Sequence, residues 1–108
     1  MPLLYDFEVD SVRDLSLLLS ANVKRRRLEK GLSRSALSMM SGVPVPTIAK
    51  FEQKSVISLT GFIAIAKALG YSDEVKALFA EPKYATMEEL ETINRNKNRK
   101  HGRNEFAK

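Results

Sequence analysis

The sequence predicts an all-α protein: a compact domain of five helices, with a short strand before it and an extension after it. Three observations lead there. Helix-starting Ser and Thr residues and helix-ending glycines recur at short intervals, with Ser11, Ser33, Ser58 or Thr60, and Ser72 as starts and Gly31, Gly42 and Gly70 as stops. Between them the apolar residues recur every three or four positions, the helical period. Only residues 3–10 alternate with period two, Tyr5, Phe7 and Val9 against Asp6, Glu8 and Asp10, which is a strand signal.

The first helix opens at Ser11, whose partner in a capping box is Asp14. Leu15, Leu18, Leu19, Val23 and Arg27 then share one face, and Gly31 ends the helix after Lys30. The second starts after Ser33, runs through Ala36, Leu37 and Met40, and stops at Gly42. Pro44 and Pro46 suit a turn and a first helical turn, where a missing N–H costs little, so a third helix runs through Ile48 and Phe51 to about Gln53. A fourth spans roughly Thr60 to Leu69. A fifth begins near Ser72, with Asp73 and Glu74 in its first turn, and packs Val75, Leu78 and Phe79. Pro82 marks the domain end. Thr86 and Glu89 form a second capping box for a short helix over 87–94, and the basic, Asn-rich residues 95–108 read as disordered. The expected division is an arm over 1–10, a domain over 11–81 and an extension over 82–108.

Composition narrows the function classes. With 108 residues and 44% apolar content the chain supports one modest core. It has no cysteine and one histidine, His101, which excludes a disulfide scaffold and leaves no thiolate or imidazole cluster for a metal; no metal or cofactor is expected. No window has the roughly 18–20 apolar residues of a membrane span. The N-terminus carries Asp6, Glu8 and Asp10 where a signal peptide carries Lys or Arg, so a soluble cytoplasmic protein is expected. The net charge of +5 is polarised: residues 24–54 hold eight Lys and Arg against Glu29 and Glu52, and the flanking segments are acidic until the basic tail. Such a pattern suits one face turned to a polyanion, and a solvated face with a basic tail is the alternative. No phosphate-cradling glycine loop and no catalytic constellation is visible, so the chain reads as a non-enzyme.

Two short helices joined by a tight glycine turn make a helix-turn-helix unit. A helix of about 10–12 Å diameter fits the major groove of B-DNA, about 12 Å wide, and the preceding helix braces it. The unit needs a small residue in its first helix, a Gly at the turn and an apolar anchor in its second; Ala36, Gly42 and Ile48 supply these. From about Ser20 to Leu69 the chain resembles the XRE-type group that includes Cro and the lambda-like phage repressors. The resemblance rests on Val23, Arg27, Gly31-Leu32-Ser33, Leu37, Ser41-Gly42-Val43, Thr47-Ile48, Glu52 and Ile65-Ala66-Lys67-Ala68-Leu69-Gly70.

The resemblance implies a lambda-repressor-like five-helix fold, binding to double-stranded DNA and a role as a transcriptional repressor. Arg27 and Glu52 match a structural salt bridge. Arg34 and Ser33 at the start of the second helix, with Lys54 and Ser55 after the third, match phosphate contacts. Val45, Pro46, Thr47, Ala49 and Lys50 match the groove-facing, base-contacting positions. Better-known relatives often place Gln or another bidentate reader where this chain has Val45 and Pro46. Those two side chains can touch thymine methyls but cannot hydrogen-bond a base edge, which leaves Lys50 for guanine and gives DNA shape more weight.

Repressors of this type usually dimerise on a palindrome. Tyr5, Phe7 and Val9 are the candidate dimerisation residues, the strand pairing with its copy across a two-fold axis; a disordered start or a strand folded back on its own domain is the alternative. Residues Phe79 to Leu90 resemble the extension of regulators similar to HipB antitoxins, which implies a HipA-like kinase toxin as partner. The competing function is a protein-interaction adaptor that uses the same fold and binds DNA only nonspecifically.

Overall fold

The computed structural model describes residues 10–101, and the expected strand with Tyr5, Phe7 and Val9 lies outside the described residues. Six helices follow one another among the described residues: α1 (Val12–Glu29), α2 (Arg34–Ser41), α3 (Val45–Lys54), α4 (Leu59–Ala68), α5 (Ser72–Ala77) and α6 (Met87–Asn96). The described residues contain no strand, and no helix among them is long and apolar enough to cross a membrane. The chain divides into two units that meet between Lys76 and Ala77.

Local chemistry sets the helix ends of the first unit. Ser11 accepts from the Asp14 N–H at 3.0 Å while Asp14 accepts from the Ser11 N–H at 3.2 Å, a complete capping box. Ser33 caps α2 through the Ala36 N–H, and Ser58 caps α4 through the Gly61 N–H, both at 3.0 Å. Gly42 ends α2 at φ 80°, a left-handed conformation that an L side chain adopts only at a cost. It brings the chain through Val43 and Pro44 directly into α3.

The core lies where α2 meets α3 and α4, and where α1 meets α3. Leu37, Ile48 and Ile65 are fully buried, with Val43, Phe51 and Leu69 around them and Val23, Leu32 and Phe62 packed against the cluster. Phe51 and Phe62 meet edge to face with ring centroids 6.0 Å apart.

Two sequence expectations are corrected. Leu15, Leu18 and Leu19 do not form the inward face of α1; each is about half exposed. The inward face is Ser16, Ser20, Val23 and Arg27, spaced at i, i+4, i+7 and i+11. It is polar because α1 joins α3 partly through hydrogen bonds: the buried Ser20 hydroxyl lies 2.7 Å from that of Ser55. Likewise Leu78 and Phe79 do not pack with α5. The helix ends at Ala77, Phe79 turns to φ 58°, and both side chains are exposed.

The second unit contains α6. Thr86 caps it through the Glu89 N–H at 3.1 Å, and the Glu89 carboxylate accepts from the Ala85 N–H, one residue earlier than a reciprocal capping box places it. Leu90, Ile93 and Asn96 are the half-buried residues of this helix.

Candidate nucleic-acid interface

The interface begins with a buried ion cluster. Arg27 of α1 donates from Nε to Glu52 Oε2 at 2.7 Å and from Nη2 to Oε1 at 3.0 Å, a two-pronged pair, while its Nη1 donates to the Leu32 carbonyl at 2.8 Å. Arg27 and Glu52 retain only 7% and 1% of their side-chain exposure. The sequence did not suggest the third member: Arg34 Nε donates to Glu52 Oε1 at 3.0 Å. Burial works to raise the Glu52 pKa, but the hydrogen bonds and charges of Arg27 and Arg34 outweigh it and hold the carboxyl below its ordinary value. Glu52 is therefore an anion through the neutral range, enclosed by two guanidinium groups.

That enclosure shapes the surface. From Lys30 to Ser72 the only acid is Glu52. Since its side chain is 1% exposed, the surface of α2, α3 and α4 presents no carboxylate. It does present Arg34, Lys50 and Lys54, the two lysines exposed and Arg34 half-buried. On α3, Pro46, Lys50 and Gln53 follow at i, i+4 and i+7 and form its exposed stripe, with Lys54 beside it; Val45, Thr47 and Ala49 are half-buried. Gln53 did not stand out in the sequence. Helical spacing from Lys50 marks it, and its amide can pair bidentately with adenine.

The start of α2 is equipped for an anion. Ser33 accepts the Ala36 N–H, which leaves its own hydroxyl proton available. The Arg34 and Ser35 N–H groups are first-turn donors with no acceptor among the described residues, and the positive helix end lies there. Pro44 caps α3 without a side-chain bond, and Pro46 removes one donor from that helix start.

Ser55 is also tied into the fold. Its hydroxyl lies 2.7 Å from that of Ser20, which is itself 3.1 Å from the Leu17 carbonyl, and its N–H donates to the Phe51 carbonyl at 2.8 Å. It sits at φ 60° as the C-cap of α3, which its hydroxyl bond helps to hold.

The remaining basic residues of α1 spread around the helix. Arg25 donates to Asn22 and Arg26 pairs with Glu29 at 2.9 Å, both on solvated faces. Among the described residues no group of three or more acidic, His or Cys side chains is placed to hold a metal ion.

Two packed short helices, a three-residue glycine turn and a carboxylate-free basic face define a helix-turn-helix DNA-binding domain. Residues 23–75 match the family model described as helix-turn-helix, and there the chain belongs to the XRE-type family of DNA-binding transcription regulators. That family is a regulatory, generally non-enzymatic one. No curated protein and no solved structure matches the chain.

Proposed function

We propose that this protein is a sequence-specific transcriptional repressor that acts in the cytoplasm as a homodimer on a palindromic operator. The observation that carries the reading is the basic face of α2 and α3, whose only acid is buried between two arginines. In this reading α3 enters the major groove. Lys50 reads guanine, and Val45, Pro46, Thr47 and Ala49 touch base edges and thymine methyls. Ser33, Arg34, Lys54 and Ser55 hold phosphates, and Ser55 also braces the end of α3 through its bond to Ser20. One such unit covers a half-site, and two copies one DNA turn apart cover an operator. Dimerisation through Tyr5, Phe7 and Val9 is supported by the half-exposed Leu15, Leu18 and Leu19 of the adjoining α1, which add apolar area to the same end of the chain.

The extension supports a narrower role, as the autoregulating antitoxin of a HipA-like kinase toxin. It is helical over Met87–Asn96, and it lies outside the residues that match the DNA-binding family. Footprinting on the protein's own promoter tests the proposal. A protected palindrome with half-sites one turn apart supports it; binding that leaves no footprint contradicts it. One observation favours the adaptor instead: the groove-facing start of α3 consists of Val45 and Pro46, whose side chains have no hydrogen-bonding group. That function requires binding that does not distinguish one DNA sequence from another.

A further inference from the structure

We infer that Glu52 is a positioning residue for DNA binding, its buried carboxylate fixing the Arg34 guanidinium so that the free edge faces a phosphate at the start of α2. The inference rests on the proposed phosphate contact of Arg34. Glu52 is held on one side by Arg27, through both carboxylate oxygens, and Arg27 is locked in turn by the Leu32 carbonyl. The carboxylate therefore has one orientation, and Oε1 also receives Arg34 Nε at 3.0 Å.

A guanidinium is planar, so fixing Nε also fixes the direction of its two Nη groups. Neither Arg34 Nη has a hydrogen-bond partner among the described residues, and the side chain is 31% exposed. The same turn carries the Ser33 hydroxyl and the Arg34 and Ser35 N–H donors. Arg34 is thus divided: one nitrogen is anchored to the ion cluster, and the others are left for an anion beside a helix N-terminus. Glu52 does not cancel this attraction, because two guanidiniums face one carboxylate and the cluster keeps a net positive charge.

Lysine cannot be divided in this way. Its ammonium is a single point on a flexible stem; held by the buried Glu52 carboxylate, it has no second nitrogen to offer a phosphate. Charge alone and charge held in place therefore give different results.

The test uses the full chain and its promoter DNA, with affinity measured over a series of salt concentrations at a temperature where circular dichroism shows each variant folded. Arg34→Ala should lower the magnitude of the slope of log K against log salt by about 0.9, the loss of one phosphate contact. If Glu52 positions Arg34, Arg34→Lys behaves like Arg34→Ala rather than like the unaltered protein. Glu52→Gln then also weakens binding and flattens the slope, although it adds one positive charge to the protein. An Arg34→Lys variant that binds as the unaltered protein does overturns the inference. So does a folded Glu52→Gln variant that binds as tightly or more tightly. If Glu52→Gln does not fold, Arg34→Lys decides alone. An Arg34→Ala variant with unchanged affinity and slope would instead remove the phosphate contact itself, and the positioning role with it.

Discussion

Replacing Arg27 with alanine removes three hydrogen bonds at once, two to Glu52 and one to the Leu32 carbonyl. It leaves a carboxylate with 1% exposure facing only Arg34. Removing one partner of a buried ion pair typically costs about 3–5 kcal/mol, because the remaining charge stays desolvated. Arg34 supplies partial compensation, so the lower end applies, about 3 kcal/mol. For a domain of this size each kcal/mol shifts Tm by roughly 4–8 °C. The expected fall in Tm is therefore on the order of 12–24 °C, and about 3 kcal/mol is a large share of the roughly 5–15 kcal/mol that stabilises a typical protein. Urea unfolding followed by circular dichroism measures it directly. Arg27→Lys keeps the charge and loses the fork, and should fall between the two. A loss below about 0.5 kcal/mol for Arg27→Ala, the range of an ordinary surface substitution, would refute the account of the cluster as a structural brace.

Three further outcomes follow from the same geometry. Lys50 is exposed and outside the core, so Lys50→Ala should leave the unfolding curve unchanged and weaken operator binding by about 1–3 kcal/mol, the worth of a direct base contact, as read by a gel-shift titration. Gly42 stands at φ 80° with open space where an alanine methyl would sit, so Gly42→Ala meets no clash and costs only the strain of a left-handed residue, about 1–2 kcal/mol in urea unfolding. Glu52 has a folded pKa below its unfolded value, so its contribution is complete above the ordinary value of about 4.5 and is lost as pH falls through the lower folded one. Stability measured from pH 6 down to pH 2 should therefore decline along the acid limb, and a folded Glu52→Gln variant should decline less steeply.

The helix boundaries were legible because they depend on neighbours in sequence. Ser11 with Asp14, Ser33, Ser58 and Gly42 act within four residues, and each sits where the local signal puts it. The inward face of α1 was not legible. Hydropathy favours Leu15, Leu18 and Leu19, yet the helix turns Ser20 and Arg27 inward, because their partners, Ser55 at the C-cap of α3 and Glu52 within it, lie more than twenty residues away. The Arg34–Glu52 pair was hidden for the same reason, its members lying 18 positions apart. Leu78 and Phe79 continue an apolar pattern past the point where α5 ends, and periodicity alone does not register that ending. At the proposed interface, the family resemblance pointed to Lys50 and Arg34. Gln53 became apparent only once the exposed stripe of α3 was placed, and the Ser20–Ser55 bond only once α1 was placed beside the end of α3.

The most direct test of the central claim is a titration of the isotopically labelled protein with its promoter DNA, with backbone amide shifts followed by NMR. The largest changes are expected at Ser33, Arg34 and Ser35 and along α3 from Val45 to Lys54, with the buried amides of α4 little affected. Changes confined to α1 or to the extension, with α3 silent, would contradict the assignment of this face to DNA.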